Sequence, residues 1–110
     1  MPRTNLSAVQ ATRAGTTLPA ATAGDVTNGN QIANDGRTVL IVKNTNAAST
    51  SRTITFATVR SVDGLVAPTR SETLAAGETQ VFGPFPATDY GSTLAINVDN
   101  AELTIQAVRV

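Results

Sequence analysis

From residue 26 to the C-terminus, short runs of aliphatic and β-branched residues recur at roughly ten-residue intervals, each closed by Asp, Asn, Gly or Pro. That spacing excludes helices of useful length and calls for short strands that each bury one face. Gln31-Ile32-Ala33-Asn34 leads through Asp35-Gly36 into Arg37-Thr38-Val39-Leu40-Ile41-Val42-Lys43. An Asp-Gly pair between two such runs predicts a type I′ hairpin, whose two central residues need positive φ. The unbroken Val39-Leu40-Ile41-Val42 predicts a strand covered on both faces, at a sandwich centre or with one face turned to a partner. In Thr53-Ile54-Thr55-Phe56-Ala57-Thr58-Val59 the alternation puts Ile54 and Phe56 inside and the threonines outside.

A loop is expected from Asp63-Gly64 through Pro68, and a break at Ala76-Gly77 separates Ser71-Glu72-Thr73-Leu74 from Thr79-Gln80-Val81-Phe82. Gly83-Pro84-Phe85-Pro86 must end that strand, because proline has no N–H to give to a ladder. Leu94-Ala95-Ile96-Asn97-Val98 turns at Asp99-Asn100-Ala101 into Leu103-Thr104-Ile105-Gln106-Ala107-Val108-Arg109-Val110. Seven or eight short strands without a helix predict an all-β fold, a single β-sandwich of Greek-key or jelly-roll type. Its core is expected to include Ile32, Leu40, Val42, Ile54, Phe56, Val81, Ile96, Val98, Leu103 and Ile105.

The first 24 residues read differently. They are rich in alanine and threonine, follow no lasting period, and are punctuated by Pro2, Gly15 and Pro19. Such a stretch buries too little apolar area to offset its own ordering entropy. Residues 1–24 are therefore expected to be an extended N-terminal arm and residues 25–110 the sandwich domain. The arm is either a solvated tail or a segment that becomes ordered against a neighbouring subunit. In the second case Leu6, Val9 and Leu18 are its apolar anchors, and Arg3 and Arg13 meet carboxylates of the partner.

Composition removes whole classes of function. The chain has no histidine, cysteine or tryptophan, so the commonest catalytic bases, nucleophiles and transition-metal ligands are missing. Disulfides are excluded, and stability must come from packing or assembly. Eight basic residues balance eight acidic ones, leaving no surplus of positive charge to displace counterions from nucleic acid. No run approaches the roughly 20 apolar residues of a spanning helix, and the N-terminus lacks an apolar signal region. Neither membrane nor nucleic-acid partners are expected.

Carboxylates are the remaining reactive groups. Asp35, Asp63, Asp89 and Asp99 sit beside glycine or asparagine, where turns use them to satisfy local backbone donors. A glycosidase pair would also lack the aromatic platform on which sugars stack. Asp25-Val26-Thr27-Asn28-Gly29-Asn30 has the wrong spacing and too little charge for a calcium loop. No catalytic residue, cofactor or metal ligand is expected. The eighteen threonines fit the solvated faces of strands, and only Thr53-x-Thr55 supplies the kind of rank an ice-binding ladder repeats.

Met1-Pro2-Arg3-Thr4, Asn28-Gly29-Asn30, the run from Gly36 to Asn44, Val62-Asp63-Gly64-Leu65, Gly83-Pro84-Phe85-Pro86 and Ile96-Asn97-Val98-Asp99 together resemble a group of small proteins. These are encoded by tailed phages and prophages of actinobacteria, commonly beside the major capsid protein. The resemblance covers most of the chain and rests on turn and strand patterns that other β proteins share. It implies a virion structural protein, a capsid decoration or cement protein. Such a protein is expected to bind the major capsid protein and brace the shell, with itself as a second partner in a homotrimer at threefold positions, or as single copies on capsomers. Its place is then the capsid surface, after assembly in the host cytoplasm. It supplies no catalytic residues to carry over. A head–tail completion or tail protein, and a receptor- or carbohydrate-binding module, are the competing readings.

Overall fold

The computed structural model describes residues 3–59, 61–66 and 68–110, and their regular secondary structure is almost entirely strand. Met1 and Pro2, the first residues of the expected arm, lie outside the described residues. In chain order the strands are β1 (Thr4–Asn5), β2 (Ala8–Gln10), β3 (Thr22–Ala23), β4 (Asn30–Ala33), β5 (Thr38–Asn44) and β6 (Arg52–Phe56). There follow β7 (Ser61–Val62), β8 (Leu65–Val66), β9 (Arg70–Leu74), β10 (Thr79–Phe82), β11 (Thr93–Val98) and β12 (Leu103–Arg109). One turn of helix, α1 (Ala87–Tyr90), interrupts the series before β11, in a stretch with no helical period.

Two five-stranded sheets result. The first runs β1-β4-β11-β6-β9. The second runs β10-β5-β12-β2, with β3 also on β12. Period-two burial explains why these residues choose strands. Along β5, Leu40 and Val42 are fully buried while Val39 and Ile41 are half-buried; along β12, Leu103, Ile105 and Ala107 turn inward. From the first sheet, Ile32, Ile54, Phe56, Leu74, Leu94, Ile96 and Val98 meet them in one cluster. Nine of the ten expected core residues are in it.

The tenth, Val81, is 65% exposed, and this corrects the expected register of β10. Phe82 turns inward instead: it pairs with Leu40 across β10 and β5 and rests on Phe56, with ring centroids 5.4 Å apart. Only one parity of β10 can face the core, and an aromatic ring removes more apolar surface from water than a valine does. Phe85, read only as part of a strand stop, is buried at 4% and packs on Phe56 at 4.9 Å.

The glycine turns also move. Asp35-Gly36 does not close a hairpin, because β4 and β5 belong to different sheets; it carries the chain across the core. Asp99-Asn100 does the same between β11 and β12. The two-residue hairpin is β7–β8, where Asp63 (φ 55) and Gly64 (φ 78) both have the positive φ that a type I′ turn requires.

Residues 3–24 lie against their own chain. β1 adds in parallel to β4, β2 adds in parallel to β12, and β3 adds antiparallel to the same strand. Leu6 and Ala8 pack on the core cluster between them. Among the described residues no helix is long and apolar enough to cross a membrane.

Candidate interaction surface

The polar chemistry of the molecule is consumed locally. Asp25 opens the turn before β4, and its Oδ1 accepts the amides of Thr27 at 3.1 Å and Asn28 at 3.0 Å. Its Oδ2 accepts the Thr4 hydroxyl at 2.6 Å, the largest of several contacts that hold the carboxyl below its ordinary pKa. The loop over residues 25–30 is thus a satisfied turn. Arg3 closes it from above, donating to the carbonyls of Asn30 and Ile96 and to Asn97 Oδ1 at 3.3, 3.1 and 2.8 Å.

Other carboxylates behave alike. Glu102 Oε1 accepts Asn46 Nδ2 at 2.9 Å and Arg52 Nε and Nη2 at 3.0 and 2.8 Å; the Asn46 bond and then the Arg52 guanidinium lower its pKa. This joins β6 of one sheet to the start of β12 of the other. Asp35 is held low chiefly by its hydrogen bond from Arg109, and Glu78 by that from Gln80. Among the described residues no three acidic, histidine or cysteine side chains are grouped to hold a metal ion.

The four aromatic residues converge where β9 and β10 leave the two sheets open, beside a cleft of about 400 Å³. They spend their rings on one another: Phe85 meets Tyr90 edge-on at 5.1 Å, besides its contact with Phe56.

The outer face of the second sheet remains. Strand alternation that buries Leu40, Val42, Ile105 and Ala107 turns Val39, Ile41, Gln106 and Val108 to the outer side, where all four are half-buried and Gln106 Nε2 donates to the Pro19 carbonyl at 2.8 Å. Val9, Val108 and Val39 stand in register across β2, β12 and β5, and Val81 stands opposite Ile41 across β10 and β5. Five β-branched residues therefore share the outer side of this sheet, Val81 largely exposed and the other four half-buried, bordered by Lys43, Thr79 and Thr104. The Val39-Leu40-Ile41-Val42 run could reveal this face; Val81 was missed because its parity was misread.

The five residues expected to bind a partner are dispersed. Arg3 and Leu6 are engaged within the chain. Val9 is half-buried in β2 and belongs to the outer face of the second sheet. Arg13 and Leu18, the latter 48% exposed, lie on the loop over residues 11–21. Comparison of the chain with protein-family models, with curated proteins and with solved structures found no match.

Proposed function

We propose that this chain is a structural virion protein, a capsid decoration protein of Greek-key sandwich type that binds an assembled phage head through the outer face of its second sheet. The observation that carries this reading is the contiguous Val9, Val39, Ile41, Val81 and Val108 surface. A solvated sheet face normally carries threonine or charge at such positions, and five adjacent aliphatic side chains lower the cost of desolvation when a partner covers them. The locally consumed carboxylates support a binding role over a catalytic one. Together with the resemblance of its turns to small phage-encoded proteins, the face makes the major capsid protein the partner of choice, with the chain itself as a second partner in a homotrimer.

An electron-microscopy map of the particle that carries the chain tests the reading. Copies repeated over the whole shell, with β5 and β12 toward the capsid, are expected. A single ring of copies at the portal or tail would replace decoration with a connector role, and absence from the particle would overturn the reading.

A further inference from the structure

We infer that residues 3–10 form an exchangeable strap, which a second copy of this chain accepts in the seat that the strap occupies in its own chain. The seat consists of two strand edges, one on β4 and one on β12, and the strap covers both with very short parallel pairings: Thr4 and Asn5 on one, Ala8 to Gln10 on the other. Uncovered strand edges demand a partner, and the strap of any copy supplies the same hydrogen bonds and the same Leu6 and Ala8 contacts. Arg3, Thr4 and Asn5 fasten the strap to β4 and its neighbours by hydrogen bonds that another copy would supply equally, whereas the crossing between the two edges is open. Clefts of about 490 Å³ and 190 Å³ flank it, and both are lined by Leu6 and Ser7.

The connection to the body permits the exchange. Residues 11–21 contain no strand, and all but Pro19 are exposed. Their turn is held by exposed contacts: the Gly15 amide to the Thr12 carbonyl, Thr12 Oγ1 to the Gly15 carbonyl, and Thr16 Oγ1 to the Gln10 carbonyl. In register, this segment has only to return from the level of Arg109 to that of Ile105, about 13 Å along a strand. Fully extended it spans about 36 Å, comparable with the 37 Å middle dimension of the molecule. That slack lets the strap reach a neighbour. A strap given to one neighbour and received from another is a heterologous contact, which closes a ring where the rotation between copies closes and otherwise runs on as an open chain. The exchange needs no shell, so it stands or falls separately from the proposed attachment.

The cysteine-free chain allows a direct test. Ala8 and Ala107 face each other in register on the core side, and Ala107 is 2% exposed, so contact between outer faces cannot bring these positions together. One copy carrying Ala8→Cys and another carrying Ala107→Cys are mixed at about 1 mM, where tethered and free segments compete, and treated with a diffusible oxidant. A disulfide-linked heterodimer that fades on tenfold dilution before oxidation is expected. An intramolecular disulfide in the Ala8→Cys/Ala107→Cys double variant with no heterodimer in the mixture would overturn the inference. A second measurement does not depend on thiols. Deleting residues 12–20 leaves Gln10 and Thr22 only three residue steps apart, about 10 Å, which is less than the roughly 13 Å between their register positions on β12 and too short for the strap to reach its own seat. Light scattering should then give a dimer or larger ring; a monomer with an undocked strap would also overturn it.

Discussion

At the scale of single residues, the molecule depends on aliphatic side chains that have no spare neighbours. Ile54 and Ile96 are completely buried on adjacent strands of the first sheet. Ile54→Ala or Ile96→Ala is expected to cost about 2–5 kcal/mol, measured by denaturant unfolding, because neighbouring side chains cannot collapse fully into the space left. The carboxylates give a second expectation. Asp25, Asp35, Glu78 and Glu102 all have folded pKa values below the ordinary ones. Their contribution is present above the unfolded pKa values of about 4 and is lost as pH falls through the folded ones. Unfolding midpoints should be flat above about pH 5 and fall below it, with a shallower fall in Glu102→Gln. Burial at Ile32, Leu40, Val42, Ile54, Phe56, Ile96, Val98, Leu103 and Ile105 was legible because alternation fixes parity. Val81 was not: in a four-residue strand both parities carry an apolar residue, and the choice fell to Phe82 through its contact with Phe56.

Elements were legible where a run is long and bounded, as in β5, β6, β11 and β12. Their pairing was less so. An Asp-Gly pair marks a reversal of direction but not whether the next strand returns to the same sheet; Asp35-Gly36 crosses between sheets whereas Asp63-Gly64 closes a hairpin. The strap over residues 3–10 was illegible for a physical reason. Two- and three-residue strands have no measurable period, and their stability comes from the edges they cover. Removing residues 2–24 is therefore expected to disturb the body. It uncovers the edges of β4 and β12 and takes Leu6 and Ala8 from the core cluster. A clear loss of thermal stability is expected, and Leu6→Ala alone should cost about 1 kcal/mol, since Leu6 is only half-buried. An unchanged melting curve for the truncation would show the strap to be a bystander. Of the interaction face, the β5 run was readable in advance; the row that completes it needed the register of β2, β10 and β12.

At the scale of the whole molecule, net charge is zero and the outer face of the second sheet has Lys43 as its bordering charge. The proposed attachment through that face would rest on apolar burial, so retention on particles should fall only modestly as salt rises, which sedimentation at two ionic strengths checks. Four strands at about 4.8 Å spacing and about 20 Å of length give a face on the order of 400 Å². That is half of the roughly 800 Å² per partner of a standard interface, so one copy holds weakly and several linked copies hold well. The central claim is that this face attaches the protein. Val81→Glu tests it most directly, because Val81 is largely exposed and the substitution leaves the core untouched. The measurement is co-sedimentation of the folded variant with particles stripped of the native protein. An unchanged melting curve with lost retention is expected; full retention of a correctly folded Val81→Glu would rule this face out as the point of attachment.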